Sequence, residues 1–369
     1  MKIPLYKPDI NINDIKAAVK VLKSGKLSRG KYTEKFEKKF AKYTNKKYAI
    51  SLNSGTSGLQ VLVRAVGWKE GDEIITSPFS YVASSNILLL EKIKPIFVDI
   101  DPKTLNINIK KIKEKINPKT KGILLVHILG LPVDYSDFIE LKNKYNLGII
   151  EDACETIGRP KNNFRVGDFG IATVYAFHEN KQLTTGGEGG MITTDDPLLA
   201  EKCGSMRDQG RSERKDWINH VILGFNFRMT EMQAAIGLSQ LQRIDKILQK
   251  RENAANYYTK LFNKSSDIIT PKDLNCNLRS WFSYYILLKD EDTRNKLKKG
   301  LEKINIATND NCFPPIYNFS MYKKLNINAR EFEITEDVSR RLLVLPFFND
   351  IRKSEIDYMV YKIKELLKK

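Results

Sequence analysis

The fold is decided by an apolar run that ends in acidic residues, Gly148-Ile149-Ile150-Glu151-Asp152-Ala153-Cys154-Glu155. A continuous apolar run of this length predicts a strand that is buried on both faces of a sheet. A carboxylate at the end of such a strand is costly to bury unless a cation or hydrogen-bond donors meet it. We therefore take Asp152 as a candidate functional residue, with a helix cap or a metal ligand as the alternatives.

Similar apolar runs occur on both sides of this one, and helical patterns separate them. The predicted strands are Tyr48–Leu52, Glu73–Thr76, Pro95–Asp99, Gly122–Ile128, Gly148–Glu151, Ile171–Phe177 and Gly190–Thr193. The predicted helices are Ser57–Val66, Tyr81–Lys92, Ile109–Ile116, Tyr135–Tyr145 and Pro197–Met206. This alternation predicts an α/β fold with a mostly parallel central sheet flanked by helices, with ligands beyond the carboxyl ends of the strands.

The last third of the chain has a different pattern. A long amphipathic helix is predicted from Thr230 to about Gln249, continuing into Arg251–Phe262. The predicted elements beyond it are strands at Trp281–Leu288 and Ile304–Thr308 and helices at Glu291–Lys303, Thr335–Leu342 and Ser354–Lys368. We expect a large α/β domain over residues 1–250 and a small C-terminal α+β domain over residues 251–369.

The composition is near the globular average, with 41% hydrophobic and 29% charged residues in a chain of 369. The four cysteines and three histidines are scattered, so neither a disulfide framework nor a metal site is predicted. The longest apolar stretch, Ile123–Val133, is too short to cross a bilayer, and Met1–Asn13 has no signal-peptide pattern. We expect a cytoplasmic protein without a membrane partner.

The net charge of +18 comes mainly from lysines on the polar faces of the predicted helices. This distribution favours ordinary solvated surfaces. A positive field that attracts a phosphorylated small molecule is the functional alternative. A nucleic-acid partner is disfavoured, because the sequence has no compact basic run with interleaved aromatic residues.

A lysine follows another predicted strand and precedes a glycine-rich turn, in Phe177-His178-Glu179-Asn180-Lys181-Gln182-Leu183-Thr184-Thr185-Gly186-Gly187-Glu188-Gly189-Gly190. A lysine that burial or nearby charge makes neutral forms a Schiff base with a carbonyl compound. The glycines fit no nucleotide-binding spacing, and they precede a strand, not a helix. The alternative for Lys181 is a surface residue in a loop.

Two further segments are candidate phosphate sites. Asn53-Ser54-Gly55-Thr56-Ser57-Gly58 lies between a strand and a helix, and backbone N–H groups at a helix N-terminus bind anions. An ordinary Ser/Thr cap explains this segment equally well. In Gly224-Phe225-Asn226-Phe227-Arg228-Met229-Thr230, the planar guanidinium of Arg228 suits a phosphate, and a helix start capped by Thr230 is the alternative.

In this order, these segments resemble the nucleotide-sugar aminotransferases of the DegT/StrS type. The resemblance covers nearly the whole chain, and the separation of Asp152 from Lys181 is also similar to the family's. Further matching stretches are Ser24-Gly25-Lys26-Leu27-Ser28-Arg29-Gly30, Gly71–Thr76, Lys94–Asp99, His127–Asp134 and Leu345-Pro346-Phe347-Phe348.

The resemblance implies the aspartate aminotransferase-like fold of transferases that depend on pyridoxal 5'-phosphate (PLP), with PLP in the large domain. Lys181 would hold PLP as a Schiff base and later move a proton between substrate and cofactor. Asp152 would keep the ring nitrogen protonated. Tyr81 would stack on the pyridine ring, and Glu155 would lie near the phenolic oxygen, where a carboxylate is less obvious than a glutamine.

The same resemblance places the PLP phosphate between two subunits, so it implies a homodimer with active sites at the subunit interface. The residues matched to the phosphate-binding segments are Gly55, Thr56 and Ser57 and, from the other subunit, Asn226 and Arg228.

The sequence departs from the family's pattern at three places. Ala176 stands where many relatives have a serine whose hydroxyl group contacts the phosphate. The glycine stretch after Thr185 has one residue more than the usual Thr-Thr-Gly-Glu-Gly-Gly. Tyr317 stands where relatives often have a histidine, which bears on sugar recognition.

The implied activity moves an amino group from an amino acid, expected to be glutamate, to a keto-sugar of a nucleoside diphosphate, for cell-surface polysaccharide or other glycan biosynthesis. Basic residues of the loop 207–217, with Trp217 or His220, are candidates for contacting this substrate; solvated loop charge is an equal alternative. A PLP-dependent sugar dehydratase is disfavoured, because in that branch a histidine replaces the lysine. A regulatory protein on an inactive transferase fold is disfavoured by the pair Asp152 and Lys181.

Overall fold

The computed structural model describes residues 1–158, 166–212, 219–263, 265–272, 279–310 and 312–368. A seven-stranded sheet lies at its centre, with the spatial order β1-β7-β6-β5-β4-β2-β3. Only β7 runs antiparallel to its neighbours, β1 and β6, and the other pairs are parallel. The strands are β1 (Tyr48–Leu52), β2 (Glu73–Thr76), β3 (Lys94–Phe97), β4 (Thr120–Val126), β5 (Gly148–Asp152), β6 (Ala172–Ala176) and β7 (Gly190–Thr194). The prediction of a mostly parallel sheet is confirmed.

Helices cover both faces of this sheet. They are α1 (Ile12–Ser24), α2 (Lys31–Thr44), α3 (Gly55–Ala65), α4 (Ala83–Leu90), α5 (Ile109–Lys115), α6 (Ser136–Tyr145) and α7 (Pro197–Arg207). Their ends follow local rules: Asp196 caps α7 by accepting from two backbone N–H groups, and Pro197 occupies the first helical position. The helices predicted between the strands correspond to α3–α7, so that prediction is confirmed.

Alternate residues of the central strands pack against different helices. Leu124 and Ile150 belong to the core beneath α3 and α4, whereas Ile123 and Ile149 belong to the core beneath α5 and α6. This alternation follows from the two-residue period of a strand. The two acidic residues that end β5 consequently point to opposite faces of the sheet.

The prediction of one long helix after Thr230 was wrong. The chain forms α8 (Glu231–Leu241) and α9 (Ile244–Phe262), separated by Gln242 and Arg243. Arg243 has a non-helical backbone, and its guanidinium group pairs with Asp9 and Asp14 at the start of the chain. These ion pairs, with residues distant in the sequence, accompany the interruption.

The C-terminal part contains a two-stranded antiparallel sheet, β8 (Tyr284–Leu287) with β9 (Leu342–Leu345). The prediction of a strand at Ile304–Thr308 was wrong, since that segment makes only the isolated bridge of Ile306 to Ile3. Strand β9 was missed because it follows α11 without a turn. The helices here are α10 (Glu291–Lys303), α11 (Glu333–Arg341) and α12 (Lys353–Leu367), and short 3₁₀ turns occur at Ile128–Gly130, Ile316–Asn318, Ser320–Leu325 and Ala329–Glu331.

The expected domain boundary between residues 250 and 251 falls inside α9 and remains a prediction. The aromatic and aliphatic core of the C-terminal part includes Tyr258 of α9 and also Ile3. Within the described ranges, no helix has the length and apolar character needed to cross a membrane.

Candidate active site

A cavity of about 380 Å³ lies beyond the carboxyl ends of three neighbouring parallel strands. Val126, Asp152 and Ala176, which end β4, β5 and β6, all line it. This is where a ligand is expected in a parallel sheet. Of the residues predicted from sequence, the cavity brings together Gly55, Thr56, Tyr81, Asp152, Glu155 and Lys181.

Asp152 enters the cavity with its carboxylate held by two donors. Its residue exposure is only 3%. Ser84 Oγ of α4 donates to Oδ2 at 2.7 Å, and the backbone N–H of Cys154 donates to Oδ1 at 3.0 Å. Ser84 is itself 3.0 Å from Ser80 Oγ. Because hydrogen bonds to a carboxylate favour its charged form, the arrangement suits a partner that carries a positive charge.

Lys181 reaches the same cavity from the loop between β6 and β7. The loop is closed by hydrogen bonds from Lys181 N to His178 O (3.0 Å) and from Glu179 N to Gly187 O (3.1 Å). Lys181 Nζ lies 3.9 Å from the centroid of the Phe282 ring, which comes from the C-terminal part of the chain. The amine and the acid therefore face one space, as the sequence predicted.

Glu155 is a further carboxylate of the cavity, which Glu188 also lines, and it is almost fully buried. Burial raises its pKa to about 7, and the charge of Asp152 also raises it. The charge of Lys181 and the hydrogen bond from Leu129 N, at 2.8 Å to Oε2, act in the opposite direction. The side chain of Gln182 holds the backbone carbonyl of Glu155 at 2.9 Å.

The N-terminus of α3 forms another part of the cavity wall. Ser54 caps the helix by accepting from Ser57 N at 3.1 Å. A Cβ on Gly55 would lie 2.7 Å from Ala176 Cβ and 2.8 Å from Cys154 Sγ, so only glycine allows this close approach. Gly55 and Thr56 line the cavity, where helix N-terminal N–H groups have no intrahelical partner. Ser57 is buried behind them and does not line it.

The segment before α8 does not reach the cavity of its own chain. Asn226 is exposed, and Arg228 Nη1 pairs with Asp208 Oδ1 at 2.5 Å; neither residue lines the cavity. Next to them Leu223 is 85% exposed and Val221 is 54% exposed. Two large apolar side chains of this segment are therefore open to solvent in a single copy of the chain.

The candidate substrate contacts give a mixed result. Arg214, Lys215, Asp216 and Trp217 lie outside the described residues. His220 Nδ1 is 2.8 Å from Gln209 O, away from the cavity lining. Tyr317 is also outside the lining: its hydroxyl group donates to Glu336 at 2.8 Å, and its ring stacks on Phe332.

Several cavity residues had no signal in the sequence. Ser84 lies inside a helical pattern, where a serine has no distinguishing neighbours. Others come from the C-terminal part and lie more than a hundred residues from Lys181 in the sequence. Because of this distance, the sequence does not show that they are close to Lys181 in space. The lining residues that were missed include Ser84, Asn180, Phe282, Asn309, Cys312 and Phe313.

Comparisons with known proteins agree with this geometry. The model of the DegT/DnrJ/EryC1/StrS aminotransferase family matches residues 8–364. GDP-perosamine synthase of Escherichia coli O157:H7 is 33% identical over 98% of both chains. PseC of Helicobacter pylori, an aminotransferase of pseudoaminic acid biosynthesis, has a TM-score of 0.94 at 29% identity over 100% of both chains. NtdA from Bacillus subtilis, solved with bound cofactor PMP, has a TM-score of 0.88 at 28% identity, covering 98% of this chain and 83% of its own.

Proposed function

Because the chain belongs to the DegT/DnrJ/EryC1/StrS aminotransferase family, we propose that it transfers the amino group of glutamate to a keto-sugar of a nucleoside diphosphate, for cell-surface polysaccharide or other glycan biosynthesis. The chain is a PLP-dependent sugar transaminase with an aspartate aminotransferase-like fold. The observation that carries the proposal is the common cavity of Lys181 and Asp152.

The cavity fits PLP in its chemistry. Asp152 offers a buried carboxylate, held by Ser84 and Cys154 N, for the ring nitrogen. The N-terminus of α3 at Gly55 and Thr56 offers N–H donors for the phosphate. Ala176 supplies no hydroxyl group there, so one phosphate contact made by relatives would be absent. PLP, when bound, supplies an electron sink for breaking bonds at the amino carbon of the donor.

The residues of this chain supply positioning and proton movement. Lys181 would hold the carbonyl carbon of PLP through Nζ, and its free amine would accept and return a proton at Nζ. The carboxylate of Asp152 would pair with the protonated ring nitrogen of PLP. Phe282 packs against Lys181 Nζ and helps to exclude water from the reacting side of the cavity.

The absorbance of the cofactor tests the role of Lys181. Lys181→Ala should lose the covalent PLP band that borohydride reduces, whereas Lys246→Ala, an exposed lysine of α9, should keep it. A reducible band in Lys181→Ala would contradict the assignment. For the reaction itself, a panel of nucleotide-linked keto-sugars incubated with glutamate should give an aminosugar and 2-ketoglutarate. A deoxygenated sugar without an amine would favour the dehydratase alternative.

We also propose a homodimer in which Asn226 and Arg228 complete the phosphate site of the other subunit. The exposed Leu223 and Val221 beside these residues support a surface that a second copy covers. If Arg228→Ala and Lys181→Ala are each inactive, mixed dimers should regain activity, because one of the two sites in a hybrid is intact. Random mixing should restore roughly a quarter of the wild-type activity. No recovery would contradict the contribution in trans.

A further inference from the structure

We propose that Glu155 acts as a protonated carboxyl group that donates a hydrogen bond to PLP beside Lys181, and that ionisation of Glu155 in alkaline solution releases the cofactor. This inference rests on the proposed function, in which Lys181 holds PLP. It adds a proton-dependent step to cofactor binding, with Glu155 as the group that titrates.

The charges around Glu155 favour the protonated form. The cavity has two further carboxylates, Asp152 and the largely exposed Glu188, which lies 3.8 Å from His178. Acids that share a buried site, as Glu155 and Asp152 do, resist ionising together. The thiols of Cys154 and Cys312 also line the cavity, and burial raises the pKa of both, so they stay neutral. Lys181 is the group that opposes this trend by its positive charge.

The hydrogen bonds of the Glu155 side chain also differ from those of a carboxylate that several donors hold in its charged form. Within the described residues, its side chain accepts from Leu129 N at Oε2. A carboxyl group that is protonated on its other oxygen keeps this bond and gains a donor for a ligand. The aldehyde of PLP is flanked on the ring by a phenolic oxygen, so an acid next to Lys181 lies near that acceptor. A carboxylate there would repel the oxygen, whereas a carboxyl group would bind it.

The N–H group of Leu129 is fixed in its place by a clamped turn. Leu129 has a left-handed backbone (φ 53°), and the next residue is Gly130 (φ 79°). A Cβ on Gly130 would lie 2.6 Å from Phe282 N, so the turn packs directly on the segment that carries Phe282. Ser280 N donates to Gly130 O at 2.8 Å. The N–H group that Glu155 accepts from is therefore held in place by the backbone of this turn.

The test measures PLP binding to the full-length, cofactor-depleted chain between pH 6 and pH 9. Above pH 7, the dissociation constant of the wild type should rise by about tenfold per pH unit relative to that of Glu155→Gln. Glutamine keeps an acceptor for Leu129 N and a donor for the ligand, and it has no proton to lose. Glu179→Gln is the matched control, because it removes the same charge from the loop of Lys181 at a partly exposed position outside the cavity lining. It should keep the wild-type slope.

An equal slope in Glu155→Gln and in the wild type would overturn the inference, as would weaker binding of Glu155→Gln at every pH. If the slopes are equal and Lys181→Ala still loses the reducible band, only the proposed role of Glu155 is contradicted. If Lys181→Ala keeps that band, the proposed PLP site itself is contradicted.

A second measurement needs no cofactor. The pKa of Glu155 is raised from 4.5 to about 7 in the folded chain. The resulting stabilisation of the native state is fully present below pH 4.5 and is lost as the pH rises through about 7. Urea unfolding should therefore show the wild type losing stability relative to Glu155→Gln between these values. Parallel curves would overturn the inference.

Discussion

Two buried acids on β5 and just after it, Glu151 and Glu155, have opposite properties. Glu151 points to the face of the sheet away from the cavity, where it accepts from His127 Nε2 at 2.8 Å, from the Tyr135 hydroxyl group and from Gly170 N at 2.6 Å. Although burial raises its pKa, the hydrogen bonds of His127 and Tyr135 bring the pKa of Glu151 below its usual value. For Glu155, burial prevails and the pKa rises.

Both acids are buried, so the difference between them follows from the donors that meet each carboxylate and from the charges of their neighbours. Val133 N donates to His127 Nδ1 at 3.1 Å, so the imidazole proton lies on Nε2 and faces Glu151. The backbone N–H groups of Gly167 and Phe169 add to this shell, at 3.1 and 3.2 Å. Glu151 thus stabilises the fold, whereas the less satisfied acids on the cavity side remain available to a ligand.

The largest expected effect concerns Glu151. Glu151→Ala should lower the free energy of unfolding by about 3–5 kcal/mol, because His127, Tyr135 and several backbone N–H groups lose their acceptor. Urea denaturation of the cofactor-free chain measures it. Glu114→Ala, at an exposed position on α5, should change stability by less than about 0.5 kcal/mol. If Glu151→Ala also lowered stability by less than about 0.5 kcal/mol, the contrast between Glu151 and Glu155 would be contradicted.

Replacement of Asp152 should show the reverse pattern, in which activity falls and the free energy of unfolding does not change. Asp152→Asn keeps an acceptor for Ser84 but cannot carry the charge that pairs with a protonated ring nitrogen. We expect kcat to fall by about 100–1000-fold, as for other preorganised electrostatic groups. The unfolding curve should stay close to that of the wild type. If Asp152→Asn kept the wild-type kcat, Asp152 would have a structural role and not a catalytic one.

Ser84 should have a smaller effect of the same kind. Ser84→Ala removes the 2.7 Å hydrogen bond to Asp152 and leaves the bond from Cys154 N in place. We expect kcat to fall by about tenfold, which corresponds to the loss of one hydrogen bond to a charged group. Ser85→Ala removes the neighbouring hydroxyl group of α4 and serves as the control. Equal effects of the two variants would mean that α4 packing, not the hydrogen bond, is responsible.

The smallest expected effect is a gain in the affinity for PLP. Ala176→Ser would place a hydroxyl group on the cavity wall beside Gly55, at the proposed phosphate end. One added hydrogen bond should tighten PLP binding by about threefold. Equilibrium titration of the cofactor-depleted chain measures this change, and Ala176→Val provides a comparison of similar bulk without a donor. Equal affinities of the serine and valine variants would argue against a phosphate at this wall.

The sequence predicts best what depends on local pattern. All seven strands of the large sheet were predicted, because each is a separate apolar run. Asp152 and Lys181 were singled out because they lie at the end of such a run or within a few residues of it. The interruption after α8 was missed because it involves ion pairs of Arg243 with Asp9 and Asp14, which are distant in the sequence. Phe282 was missed for the same reason, since its ring reaches Lys181 only through tertiary folding.

The pairing of Ile3 with Ile306 has a consequence for synthesis on the ribosome. The large sheet consists of residues before 195, so its strands can associate while the rest of the chain is still being made. Ile3, the first residue with a partner in the C-terminal core, must wait until about three hundred further residues have been translated. The segment ahead of α1 therefore reaches its partners in the C-terminal part only after residue 306 has been made.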